Sequence, residues 1–242
     1  MLFLLPPSEC KTEGGQPLSL EFVALTFGGM EPAREAVYEQ LLKYSSSGAK
    51  TAMREEHLKQ NLEFLTSPLM PAIDRYSGTL YDALHGRGLK GTPTEHNELT
   101  PSERQRAGES VFIQSALFGL IPANNLIPNY RFSAGTKLPG FDLKKHWQVA
   151  HEVIWKRLEG NRIIDLRSKA YAELAPIPDA FDALTVEVFD GKSGKALNHF
   201  NKKSKGQFVR AYLQGAETLE AMAKDAGLRM SVEGKTLNLF TE

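Results

Sequence analysis

The chain opens on an uninterrupted apolar run, Leu2–Leu5, that stops at Pro6-Pro7. Four apolar residues without alternation, closed by residues that cannot donate to a ladder, predict a strand buried on both faces. The polar loop PPSECKTEGG follows, and Pro32 then opens a helix over Ala33–Tyr44, where apolar positions recur at helical spacing. A Ser-Ser-Ser-Gly break separates it from a second helical run from about Lys50 to Leu65. After the breaker SPLMP comes RYSGTLYDAL, and then a polar stretch over 86–110 in which Thr100-Pro101-Ser102-Glu103 forms a capping box with proline at the first helical position.

Val111-Phe112-Ile113 predicts another strand, followed by the apolar, turn-rich ALFGLIPANNLIPNYR; residues 147–158 have a helical pattern. Ile163-Ile164-Asp165-Leu166 predicts a short buried strand of a central sheet. Val186–Phe189 and Ala196–Phe200 flank DGKSGK and predict a hairpin, while Ser204–Ala226 predicts one long helix with Phe208, Tyr212, Leu219 and Met222 on one side. Met230–Phe240, interrupted at Glu233-Gly234, predicts a closing hairpin. Strands and helices are mixed and no internal repeat occurs. The expectation is one α/β domain over 1–242, a mixed central sheet flanked by helices.

Composition changes this picture little. The 242 residues are enough to bury a large core, and 41% apolar with 24% charged residues is ordinary for a globular chain. MLFLL is too short for a membrane span and lacks the cations that precede a signal sequence, so no membrane partner is expected. The single cysteine, Cys10, excludes an internal disulfide and suits a reducing cytoplasm.

Charge is more informative. The chain carries 29 basic and 29 acidic residues, yet Gly191–Gly215 holds six Lys/Arg and no acid. Lys202, Lys203 and Lys205 stand at the entrance of the expected helix, with Arg210 in its first turns. Cations there oppose the helix dipole by a few tenths of a kcal/mol each, a small cost that makes sense if the free amides and the cations together take a phosphate. Otherwise the segment is a solvated edge, and Phe200, Phe208 and Tyr212 are core rather than base-stacking platforms. A second phosphate-type pattern is Ser45-Ser46-Ser47-Gly48-Ala49-Lys50-Thr51-Ala52, between the two expected helices of about 32–65. It is similar to the turn of helix-hairpin-helix modules, whose amides grip a phosphate without reading sequence, with Ser46 where the first glycine is usual; a plain helix–helix connection is the alternative.

Other chemistry is thin. The six histidines form no H-x-x-x-H pair and one cysteine cannot build a zinc site, so no metal or cofactor is expected. GRGLKG at 86–91 has the letters of a dinucleotide fingerprint without the preceding strand, and PPSECKT lacks the glycines of a phosphate loop. Cys10 reads as a small loop residue rather than a nucleophile. Lys11, just past the first strand, lies where α/β sheets bind ligands, or is a solvated loop lysine.

Taken together, PPSECKT, RYSGTLYDAL, SALFGLIPANNLIPNYR, IIDLRSKAYAEL and HFNKKSKGQFVRAYL, in that order and nearly end to end, resemble the YaaA family of peroxide stress proteins. Two departures are Cys10, where glycine or alanine is usual, and Ser77, where a lysine is frequent. The resemblance implies a cytoplasmic protein that limits iron-driven peroxide damage to DNA. It also implies binding of double-stranded DNA, bent or damaged duplexes included, by a helix-hairpin-helix element and a positive cleft. Carried over by position, the cations are Lys11, Arg131, Lys202, Lys203 and Arg210, with Ser8, Tyr130, Ser168 and Tyr171 as hydrogen-bonding neighbours. Gly48, Lys50, Thr51 and Lys205 complete the expected phosphate contacts. The rival expectation is an enzyme acting on a DNA lesion or a phosphorylated small molecule, with Ser8, Lys11, Tyr171 and Arg131 converging and Lys11 as base or nucleophile. Oligomeric state is left open.

Overall fold

The computed structural model describes residues 1–18, 21, 24–47, 53–87, 98–197 and 200–241. Gly48, Lys50 and Thr51, and with them the hairpin-like turn, lie outside the described residues, as do residues 88–91 of GRGLKG. In chain order the elements are β1 (Leu2–Leu5), α1 (Glu31–Ser46), α2 (Glu55–Leu62), β2 (Met70–Pro71), α3 (Ala72–Arg75), α4 (Thr79–His85), α5 (Pro101–Ser110), β3 (Val111–Ser115), β4 (Gly119–Pro122) and β5 (Leu126–Ile127). There follow α6 (Leu143–Ala150), α7 (Glu152–Leu158), β6 (Ile163–Asp165), α8 (Lys169–Ala172), β7 (Ala183–Phe189), α9 (Phe200–Leu213), α10 (Leu219–Asp225), β8 (Leu228–Glu233) and β9 (Thr236–Thr241).

Seven strands form a mostly parallel sheet in the order β4-β3-β1-β6-β7-β9-β8, with only the β3–β4 and β8–β9 pairs antiparallel. β1, β3 and β6 are buried at every position, as centre strands covered on both faces must be, whereas β7 alternates buried Leu184, Val186 and Val188 with exposed Thr185 and Glu187. The fold is therefore the expected mixed α/β sheet flanked by helices. The capping box at Thr100 closes as read: Thr100 Oγ1 accepts from the Glu103 amide at 3.3 Å and Glu103 Oε2 from the Thr100 amide at 2.7 Å.

Three expected elements differ. The long helix over 204–226 begins earlier, at Phe200, and is broken in two. Gly215 takes φ +116° and Thr218 caps a new helix by accepting from the Ala221 amide, yet Phe208, Leu219 and Met222 remain buried as expected. The helix over 147–158 extends back to Leu143, capped by Asp142, and is divided at His151. The hairpin around DGKSGK shrinks to a turn held by Asp190 and Ser193, because its return leg makes one bridge, Phe189 with Ala196, before α9 starts.

Two helix features are structural in a way residue type alone does not reveal. α9 lies so close on α4 that a Cβ on Gly206 would stand 2.2 Å from the Leu80 carbonyl oxygen. His151 is fully buried: Nδ1 donates to the Trp147 carbonyl at 2.7 Å and Nε2 accepts from the Leu120 amide at 3.1 Å, which requires the neutral ring. Burial holds its pKa down at about 4.

Both features yield expected outcomes. Gly206→Ala should cost about 1–3 kcal/mol of unfolding free energy, measured by urea denaturation. The unfolded chain protonates His151 near pH 6.5 while the folded chain refuses the proton down to about 4. His151 therefore leaves stability flat above pH 6.5 and lowers it between 6.5 and 4, by up to about 3 kcal/mol. The His151 contribution would be refuted by urea midpoints that stay constant across that window.

Candidate functional site

β1 and β6 are parallel neighbours at the middle of the sheet, but the chain leaves β1 toward the β3 side and leaves β6 toward the β7 side. Loops that part in opposite directions at the carboxyl ends of adjacent strands open a crevice, the usual ligand position of such sheets. Pro6-Pro7 carries the chain out of β1, since neither can extend the ladder. A cleft of about 560 Å³ lies there, lined by Pro6–Cys10 after β1, Ser168 and Tyr171 after β6, the turn entering α4, Ser133–Gly135, and Lys202 of α9.

A second hollow of about 690 Å³ adjoins it, with Ser133 and Gly135 in both walls. Its other walls include Tyr44 at the end of α1, Met53, Arg54 and His57 at the start of α2, and Arg131 and Lys137. The two form one groove running from the start of α2 to the carboxyl ends of β1 and β6. Arg54, Arg131, Lys137 and Lys202 line it, and Glu9 is the sole carboxylate among its described lining residues. Glu9 is neutralised: Arg131 Nη2 meets its carboxylate at 2.5 Å and Arg131 Nη1 donates to its carbonyl at 2.9 Å. Burial and the Arg131 charge hold the His57 pKa below its ordinary value.

Lys11 follows Cys10 of the cleft wall directly and is partly exposed. Its Nζ donates to the Ser8 carbonyl at 3.2 Å and stands 4.2 Å from the centre of the Tyr130 ring and 5.4 Å from that of Tyr76. The phenols face one another: Tyr76 and Tyr130 hydroxyls are 2.6 Å apart, and Ser115 Oγ lies 2.8 Å from the Tyr130 hydroxyl. Tyr81, in the cleft wall, donates to the Pro6 carbonyl at 2.8 Å. Removal from water, and next the Arg131 charge, lower the Lys11 pKa to about 7. The segment carrying Lys11 is held by Arg75, fully buried, whose guanidinium donates to the carbonyls of Thr12, Gly14 (2.9 Å), Pro68 (2.6 Å) and Ile127 (3.3 Å).

The sequence-derived residues separate accordingly. Ser8, Tyr171 and Lys202 line the cleft, Arg131 lines the adjoining hollow, and Lys11 lies beside them, so residues nearly the whole chain apart do converge. Lys205 and Arg210 do not line the groove. Both are buried, Lys205 donating to the Leu166 carbonyl at 3.2 Å and Arg210 to the Leu84 carbonyl at 3.0 Å. Half of the basic run at 202–210 thus closes the ends of β6 and α4, and Lys203 is half-buried outside both hollows. Cys10 is exposed in the cleft wall. Arg54, His57, Lys137, Tyr76 and Tyr81 escaped the sequence reading; the available signals were the two cations framing RFSAGTK and the paired tyrosines of RYSGTLYDAL. Among the described residues no three His, Cys, Asp or Glu side chains gather to hold a metal ion, and no helix is long and apolar enough to cross a membrane.

Lys11 gives a direct measurement. In carbon-13 NMR of labelled lysines, one resonance should titrate with a midpoint near pH 7 and vanish in Lys11→Arg. A set of lysines that all titrate near 10 would contradict the desolvated site.

Residues 1–230 match the family described as peroxide stress protein YaaA. A UPF0246 protein of Corynebacterium glutamicum (strain R) is 36% identical over 94% of each chain. One of Streptomyces coelicolor is 35% identical over 96% of this chain and 93% of its own. A more distant UPF0246 protein of Streptococcus pneumoniae (strain P1031) is 26% identical over 76% of each. With nearly its whole length matched, the chain belongs to the peroxide stress protein YaaA family.

Proposed function

We propose that this protein binds duplex DNA by its phosphates along the groove and acts in the cytoplasm to shield that DNA during peroxide stress. The observation that carries the reading is the charge of the groove: Arg54, Arg131, Lys137 and Lys202 line it, and Glu9, the one carboxylate among its described lining residues, is already paired to Arg131. Glu56 stands against Arg54 and His57 at 3.4 Å, yet basic groups still outnumber carboxylates along the groove, and cations facing phosphates give affinity with little base selectivity. The groove also carries Arg54 and His57 at the start of α2 and Lys202 at the start of α9, so a backbone lying in it would meet cations from both ends of the chain. A peroxide-stress family is a natural setting, because radicals made from peroxide attack deoxyribose and bases.

Salt dependence measured by fluorescence anisotropy tests this. Lys202→Ala and Arg54→Ala should each weaken binding equally for unrelated sequences and reduce the slope of log K against log salt by about 0.9. Lys205→Met and Arg210→Met should instead lower the denaturation midpoint and leave the slope unaltered. If Lys202→Ala and Arg54→Ala both keep the parent slope, the groove is not where DNA lies.

A further inference from the structure

The cleft at the switch point has chemistry that phosphate binding does not use. Phosphate sites need several donors converging on one point. Around Lys11 the hydroxyls are turned elsewhere: Tyr76, Tyr130 and Ser115 bond among themselves, and Tyr81 bonds the Pro6 carbonyl. What faces the lysine is the flat of two aromatic rings and a single carbonyl acceptor, that of Ser8. Nor is it a structural ion pair. The nearby carboxylate, Glu9, is taken by Arg131, and burial pushes the Tyr76 and Tyr130 phenols up, so no phenolate forms beside it.

A lysine kept from water and set near another cation, with no counter-ion of its own, is the arrangement that turns an ammonium into a nucleophilic amine. We propose that Lys11 captures an aldehyde carbon presented at this cleft, forming an imine through Nζ. The amine lone pair attacks the carbonyl carbon, the C=O π bond opens to a carbinolamine, and loss of its oxygen as water leaves a C=N bond; no oxidant or reductant is consumed. About half of Lys11 is the neutral amine at pH 7, against about one part in 3,000 for an ordinary lysine. The same aldehyde chemistry is offered by the open sugar of an abasic site in DNA or by a free small aldehyde. The first source rests on the DNA-binding reading above; the second does not.

The test uses the whole chain with sodium borohydride, which reduces an imine to a stable secondary amine. One arm contains a duplex with a single abasic site, a second contains glycolaldehyde, and binding to the intact duplex is measured alongside. The modified lysine is located by peptide mass spectrometry on the unaltered protein, so a variant that fails to fold cannot obscure the answer. The expected result is modification at Lys11 at least about tenfold above any other lysine at pH 7, with a rate that rises through pH 7 and then levels. Trapping with the abasic duplex assigns DNA as the source. Trapping with glycolaldehyde alone keeps the amine and assigns a small aldehyde, whether or not intact duplex binds. Modification spread evenly over surface lysines, or none at Lys11 in either arm, overturns the proposal; if intact duplex still binds, the DNA reading survives that loss.

Discussion

The site depends on one buried cation. Among the described residues Arg75 has no carboxylate partner, and four backbone carbonyls from three separate parts of the chain solvate its guanidinium. Carbonyl dipoles can replace water for a planar, delocalised cation more readily than for an ammonium, and burial still lowers the Arg75 pKa. Two of those carbonyls, Thr12 and Gly14, belong to the loop after β1, and the others to the segments before β2 and within β5. Without that tie the loop has only a few backbone bonds, such as Ser77 to Cys10 and Thr12 to Arg75, to hold Lys11 between two aromatic rings. Arg34 repeats the device, donating to the Phe118 carbonyl at 3.0 Å and the Thr26 carbonyl at 2.8 Å.

The same physics sorts the cations of the basic run. A cation whose charged end is enclosed must spend its donors on carbonyls that would otherwise be unpaired, as Lys205 and Arg210 do. One that keeps its end in water, as Lys202 does at the cleft rim, has its charge available to a ligand. An acid-free segment therefore has two independent causes. Its buried half would be unbalanced by a carboxylate only locally, while its exposed half sets the potential of the groove.

This is also why the sequence was readable in part. The strands β1, β3 and β6 and the β8–β9 hairpin follow from apolar runs and a Glu-Gly turn, which are local signals, and the Thr100 capping box is local too. The break of the 204–226 run is local in cause, Gly215 followed by Thr218, but apolar periodicity continues across it and hides it. For the site, the five motifs named Ser8, Lys11, Arg131, Tyr171 and Lys202, which the fold gathers around the groove from separate loops and helices. Which cations of 202–210 face outward was not legible, because it depends on Leu166 and Leu84 carbonyls supplied by distant elements. Arg54 was missed because nothing in its neighbours distinguishes a groove cation from any solvated one, and Lys137 because its pairing with Arg131 across RFSAGTK becomes visible only in the fold.

Groove and amine are electrostatically coupled, and the direction can be argued. Arg131 is the second cause of the depressed Lys11 pKa, and Glu9 acts against it. A phosphate pairing with Arg131 would cancel part of that positive field and favour the ammonium, so an occupied groove would make Lys11 somewhat less nucleophilic. Desolvation is the larger cause, however, and it grows rather than shrinks when a ligand excludes water from the cleft. The two effects oppose each other, and because the larger one is untouched by the pairing, the amine keeps most of its reactivity with DNA in place. Phosphate contacts along the groove and chemistry at Lys11 would therefore be compatible in one protein.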